Sequence, residues 1–321
     1  MTTAQLTVAC LGLGRIGAGI AQSVQRAGHR LIVYNRTAEK TRAFVASGAK
    51  VARSPREAAA EADIVLTCLM DDDSVRENMV GPDGILAGMR PGAIHIGTST
   101  VTPKATTEFA QLHAAQGSHY LAATFAGHPE QAAAGKLISF VAGPPEILDR
   151  SRPVLDAYTG RLIVIGENPA LAASFKLTVN FTAACLLELF GEALIFAEGQ
   201  GLNLEMVAGT LKEFLQHPAF PKYLEKIRVG NFEEVLGSTL DGVGSKDVRL
   251  ILQTAAEAGV PLPFGSVVRD KIIAAQARGW GDCDWSVLAE IARVDACRER
   301  TREKARTAQR WKQSGSTVHR S

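Results

Sequence analysis

At 321 residues, 46% hydrophobic and 21% charged, the chain has room for two domains of ordinary soluble composition. Its net charge of +2 is uneven: residues 298–321 carry eight Lys/Arg against two Glu, which leaves the rest of the chain acidic. With aromatics at 6% and no basic stripe in the body, the composition argues against a nucleic-acid partner, and no apolar run reaches the ~18 residues that a membrane span needs.

The N-terminal stretch MTTAQLTVACLGLG has no charged leader before its apolar run, so it reads as a first strand and not as a secretory signal. Strands are predicted at 6–12, 30–35, 50–52, 62–70, 93–98, 119–124, 137–143 and 161–166. Between most of them lie Ala-rich segments with helical apolar spacing, such as 37–46 and 103–116. That alternation predicts an α/β fold, a doubly wound parallel sheet with helices on both faces. Five scattered cysteines without a CxxC pair predict reduced thiols and a cytoplasmic location, and no His/Asp/Glu/Cys cluster suggests a metal.

The first strand runs directly into GLGRIG and an amphipathic helix. Gly12, Gly14 and Gly17 have the spacing of a dinucleotide-binding turn: one for the tight turn, one for close approach to a pyrophosphate, one for helix–strand packing. Leu13, Gly14, Arg15 and Ile16 then supply the main chain that meets the phosphates. The second strand ends on Asn35, Arg36 and Thr37, with Lys40 one turn later. An acid there would accept from a ribose 2′-OH, whereas a guanidinium binds a 2′-phosphate, so the cofactor is read as NADP(H) in preference to NAD(H). A cation solvating a helix start is the alternative.

After Gly166 the strand signal stops. Residues 168–201 read as one helix of about thirty residues, with Asn168 as cap, Pro169 at its first position and Gly199 and Gly201 as stops. It is too long for a crossover and too apolar to lie alone in water, which predicts a helical second domain and a homodimer or homotetramer. Further helices are predicted at 204–216, 218–228, 231–236, 239–258, 263–278 and 284–308. The domains are therefore 1–166, 167–297 and a basic, mobile tail at 298–321. Within the long helix, Lys176 and Asn180 share a face among apolar neighbours. Burial there would lower the lysine's pKa and suit it to proton transfer, with a snorkelling lysine as the alternative.

Taken in order, GLGRIG, NRT, GTSTVTP, TFAGHPEQAAAGKL, KLTVN and SKDVRL resemble the β-hydroxyacid dehydrogenase family over about residues 6–295. The resemblance implies an NAD(P)-dependent oxidoreductase acting on a small aldehyde, keto acid or hydroxyacid. It implies that Lys176 is the general acid/base and that Asn180 holds substrate. Leu69, Met70, Ser99 and Thr100 would line the cofactor, with Thr100 also near substrate, and Lys246, beside Asp247, would close over it. Where the family reads Asp-Ala-Pro-Val-Ser-Gly-Gly, this chain has Ala122 to His128, so Ala126, Gly127 and His128 form the substrate loop without the family's serine hydroxyl. Ala170 and Ala172 replace a Gly-x-Gly, a spelling similar to that of imine reductases, while Lys176 favours carbonyl reduction. A cofactor-binding protein that engages a partner through its basic tail is the non-enzymatic alternative.

Overall fold

The computed structural model describes residues 5–298, so all of the basic tail beyond Arg298 lies outside the described residues. The chain forms two compact units, one ending at Ala183 and the other beginning at Ala184.

Among the described residues, the first unit contains eight strands. In chain order it runs β1 (Thr7–Leu11), α1 (Arg15–Arg26), β2 (Arg30–Tyr34), α2 (Arg42–Ala46), β3 (Lys50–Val51), α3 (Pro55–Ala60), β4 (Ile64–Thr67), α4 (Asp72–Met79) and α5 (Ile85–Gly88). It continues with β5 (Ile94–Gly97), α6 (Pro103–Ala115), β6 (His119–Ala126), α7 (Pro129–Ala133), β7 (Leu137–Ala142), α8 (Pro145–Tyr158) and β8 (Thr159–Gly166). The sheet order is β3-β2-β1-β4-β5-β6-β7-β8. Strand order reverses between β1 and β4, the switch point at whose carboxyl ends an open α/β sheet binds ligands.

Every strand pair is parallel except β6–β7, which is antiparallel with Ala122 opposite Ala142. This corrects the expectation of an all-parallel sheet, and the reason is length. The connection contains only the five-residue α7, about 7.5 Å of helix, which cannot carry the chain back along an eight-residue strand. A hairpin needs no such return.

Helices cover both faces of the sheet, so β1 is buried on each side: Val8 and Cys10 pack with Ile20, Val24 and Tyr158, while Ala9 and Leu11 pack with Met79, Phe109 and Tyr120. Side-chain caps mark several helix starts. Ser54 accepts from Glu57 N at 3.1 Å and Thr102 from Ala105 N at 3.1 Å, each cap contributing about 1 kcal/mol. All five cysteines are free thiols.

The long helix α9 (Ala170–Gly199) starts one residue after the predicted position, with Asn168 Oδ1 accepting from Ala170 N at 3.0 Å. Against the sequence expectation, an 18-residue window of α9 is apolar enough, by length and composition, to pass for a membrane span, and none of that window is buried. Beyond it lie α10 (Leu204–Phe214), α11 (Ala219–Val229), α12 (Ser245–Glu257), α13 (Pro263–Gln276) and α14 (Glu290–Asp295). Phe232, Leu240, Ile272, Ala275, Val287 and Ile291 form the core of the second unit. Glu192 of α9 caps α13, accepting from Phe264 N at 2.5 Å and Gly265 N at 3.2 Å.

Three predicted helices are altered in this unit. Residues 231–236 are not helical because side chains from elsewhere claim their backbone: the buried Lys226 ammonium donates to Glu234 O, and Leu236 N donates to the buried Asp284 carboxylate at 2.7 Å. The 239–258 helix opens with a π-turn, Leu240–Gly244, pinned where Leu240 N donates to Cys283 O and Asp241 N to Gly281 O. In place of a helix at 284–308, a 3-10 turn at Trp285–Ala289 leads into α14, which ends at Asp295; residues beyond 298 are not described.

Candidate active site

The turn after β1 is shaped by close approach of main chain. Gly12 has φ +92°, and a Cβ on it would lie 2.3 Å from Cys68 O and 2.9 Å from Leu69 Cδ2. A Cβ on Gly17 would lie 2.0 Å from Gly12 O, so helix and strand meet with no room for a side chain. Gly14 is different: its conformation is extended, and nothing lies within 4 Å of an added Cβ. No side chain caps α1 there and no acid occupies its first turn. An open space in front of an uncapped helix N-terminus fits a pyrophosphate.

Not every residue of the motif faces that space. Leu13 is buried, and its N–H donates to Asn35 Oδ1 at 2.9 Å. Asn35 Nδ2 in turn donates to Thr37 O at 2.9 Å. Asn35 therefore ties the end of β2 to the glycine turn as a brace, with its amide already engaged. Gly14, Arg15, Arg36, Thr37 and Lys40 are exposed, and Ile16 is half-buried.

The loop after β4 completes this end of the sheet. Cys68 N donates to Leu11 O, and Leu69 N donates to Ser99 Oγ at 2.8 Å, so Ser99, buried, holds the loop through its side chain. Met70 is 83% exposed and Thr100 is exposed, so these two present their side chains outward. A brace missed by the motif reading lies beside them: Asp72 accepts from Thr102 N at 2.8 Å and from Thr102 Oγ1 at 2.6 Å, joining the starts of α4 and α6. The run Asp71–Asp72–Asp73–Ser74 carried the signal, since acids at a helix start are caps.

The helix that carries Lys176 and the loop after β6 are joined by one residue, Thr124 of β6. Its hydroxyl donates to Ala172 O in the first turns of α9 at 3.2 Å, and Ala172 and Ala173 are buried. Lys176 and Asn180 follow Ala172 at intervals of four on the same helix face. Phe175 packs on Phe140 of β7 at 4.8 Å between ring centroids. Lys176 is half-buried, with no hydrogen bond or ion pair among the described residues, and burial lowers its pKa from 10.5. Asn180 is exposed. Two residues beyond Thr124 the loop turns at Ala126 and Gly127 (φ +139°), where His128 N donates to Gln131 Oε1 at 2.8 Å. His128 is exposed and Ala126 half-exposed. Gln131, unremarked in the motif, sets this turn.

In the second unit, Lys246 stands in the first turn of α12, directly after the π-turn, with its ammonium 3.2 Å from Asp247 Oδ1 and both side chains about half exposed.

Residues 7–166 match the model of the NAD-binding domain of 6-phosphogluconate dehydrogenase, and residues 171–292 match that of the NAD-binding of NADP-dependent 3-hydroxyisobutyrate dehydrogenase. The chain is 34% identical to the uncharacterised oxidoreductase YfjR of Bacillus subtilis over 88% of its own length and 98% of that protein's. It is 28% identical to the 3-sulfolactaldehyde reductase of Escherichia coli, covering 90% of this chain and 96% of that one. It also matches the cytokine-like nuclear factor N-PAC of Homo sapiens at 28% identity, spanning about half (52%) of that protein's length. An imine reductase from Myxococcus stipitatus superposes with TM-score 0.82 over 89% of this chain and 99% of that one; at 18% identity the likeness is one of fold. With YfjR matched nearly end to end and both domain models matched in order, the chain belongs to the NAD(P)-dependent oxidoreductases of the 3-hydroxyisobutyrate, or β-hydroxyacid, dehydrogenase family.

Proposed function

We propose that the protein is an NADPH-dependent reductase of a small aldehyde or keto acid, with Lys176 as the acid that protonates the carbonyl oxygen. The observation that carries this reading is the state of Lys176: half-buried, unpaired among the described residues, and eased toward proton loss by burial. The bound nicotinamide would supply the hydride. Lys176 donates the proton that keeps an alkoxide from persisting, and takes it back in the reverse direction. Asn180, one turn further along the same face, offers an amide to orient the substrate. Thr124 fixes the start of this helix against the strand that carries the substrate loop. Arg36, exposed at the end of β2 with Lys40 nearby, supports recognition of a 2′-phosphate. Lys246, in the first turn of α12, would contact the cofactor as the family resemblance implies.

The aldehyde class draws on the E. coli relative, whose name is that of an aldehyde reductase. The test is NADPH oxidation against semialdehydes, keto acids and cyclic imines, with Lys176→Ala in parallel. The expected loss in carbonyl reduction is about 10²–10⁴-fold in kcat, with cofactor affinity unchanged. Reduction requires the ammonium form, so kcat should fall as pH rises through a value below 10.5. Turnover of cyclic imines that survives the substitution overturns the assignment in favour of imine reduction. Binding of NADPH with no turnover across the panel leaves a cofactor-binding protein.

The bare apolar surface of α9 supports self-association. Phe181 is 70% and Leu187 71% exposed on this helix. A second copy covering these side chains would remove them from water, at about 1.5–3 kcal/mol for each one fully buried. Sedimentation without detergent at micromolar concentration should give a dimer or larger closed assembly; a monomer overturns this.

A further inference from the structure

Four polar side chains form a continuous chain inside the first unit, on the face of the sheet covered by α6. Thr67 Oγ1, at the end of β4, lies 2.9 Å from His95 Nε2; His95 Nδ1 lies 2.9 Å from His113 Nε2; His113 Nδ1 lies 2.9 Å from Ser118 Oγ. Both imidazoles and Thr67 are fully buried, and Ser118 is 3% exposed. Tyr120 packs edge-on to His95 at 5.1 Å and stacks on His113 at 5.7 Å, with Phe109 beyond it. The chain can be read in either direction, and each reading places one proton in each hydrogen bond with both rings neutral. An added proton must reverse the hydroxyl at one end, Thr67 or Ser118. It also leaves a full charge in an apolar site. The electrostatic partners of the two rings are each other and His119; Tyr120 faces them from β6 and is itself influenced by Asp72. Arg76 lies beyond Phe109, over whose ring it sits, and is paired with Glu108.

Thr67 joins this chain to the cofactor end of the sheet. Its carbonyl accepts from Thr98 N at 3.0 Å and Thr98 Oγ1 at 2.8 Å. The next residue, Cys68, carries the carbonyl against which Gly12 packs, and Leu69 N is held by Ser99. We propose that His95 and His113 act through Thr67 as positioning residues for the loop Cys68–Met70, so that protonating the pair loosens this loop and weakens dinucleotide binding. The inference rests on the reading of that loop as part of the cofactor site.

Burial holds His113 at about 4 and His95 well below its ordinary 6.5 while the pair is closed. If opening restores 6.5 to one ring held at about 4, full coupling costs up to about 30-fold in affinity at pH 5. The experiment is the Kd of NADP⁺ by calorimetry at pH 7.5 and pH 5 for the full chain, for Thr67→Val and for His95→Gln/His113→Gln. The ligand's own 2′-phosphate titrates near pH 6 in all three and cancels. Wild type should lose about 10- to 30-fold more affinity on acidification than either variant. Thr67→Val should lose this pH dependence of binding while keeping the acid sensitivity of its thermal unfolding, because the rings stay buried, which a merely structural threonine would not produce. If the double variant does not fold, Thr67→Val decides alone. Slopes within about threefold of wild type overturn the proposal. No wild-type binding at pH 7.5 overturns the cofactor reading and the proposal with it.

Discussion

Two strand-to-helix loops at the same end of the sheet, the glycine turn after β1 and the loop from Ala126 to His128 after β6, are built on different principles. In the first, geometry dictates residue type: the main chain of Cys68 stands where a Cβ on Gly12 would go, and Gly12 O where one on Gly17 would. In the second, the backbone is set by Gly127 and Gln131, and His128 is exposed. Where the main chain is the ligand-binding group, sequence and site are locked together. Where a side chain is, the scaffold holds its shape while the residue changes.

Substitution within the glycine turn should separate folding from binding, and this is the largest effect expected. Gly12→Ala forces a left-handed conformation on alanine and a clash with backbone, costing more than about 3 kcal/mol and about 100-fold or more in NADPH affinity. Gly14→Ala has free space and an extended backbone, so thermal stability should move by less than about 0.5 kcal/mol. Its methyl group nonetheless enters the space assigned to the pyrophosphate, and affinity should fall about tenfold or more. Calorimetry against NADPH beside thermal melts checks both. Full affinity in Gly14→Ala would show that the open space is not where phosphates lie.

The same contrast explains what could be read from sequence. The eight strands were legible, the inner ones because a sheet covered on both faces gives short apolar runs such as ADIVLTCLM and LISFVAG. The antiparallel turn at β7 was not, since apolar runs carry no direction and only the shortness of α7 sets it. In the second unit, residues 231–236 have helical composition but lose their backbone to Lys226 and Asp284, partners that come from outside the segment. The close packing at Gly12 and Gly17 follows from their spacing, while spacing alone put Lys176 only on one helix face with Asn180. Asn35 and Ser99 were placed at the cofactor, yet the structure engages both in holding main chain. Thr124 works through a tertiary hydrogen bond that no local pattern announces, whereas Asp72 and Gln131 sit in helix-start patterns, the acidic run before α4 and a residue three beyond the cap of α7, whose partners only the structure shows.

Arg36 tests an intermediate case, a side chain on a fixed strand end. Asn35 locks the backbone there to the glycine turn, so replacing its neighbour should leave the turn intact. Arg36→Ala removes a guanidinium that can pair with a 2′-phosphate. The ratio of NADPH to NADH affinity should then fall about 10- to 100-fold, chiefly through NADPH. An unchanged ratio, measured by fluorescence titration with both cofactors, would return Arg36 to a plain solvated cation at a helix start.

The smallest effect is expected where the scaffold constrains least. His128→Gly restores the residue that the family places at this position. The backbone accepts it, because φ is −112° and the main-chain N–H keeps its bond to Gln131. Stability should stay within about 1 kcal/mol of wild type, glycine costing only loop entropy. If the imidazole faces substrate, KM for a carbonyl substrate should move by less than about tenfold at unchanged kcat, the signature of binding made equally in ground and transition states. A fall in kcat instead, with KM held, would mean that the imidazole acts in the transition state beside Lys176. The loop would then be a second place where chemistry fixes residue type, and the contrast with the glycine turn would collapse.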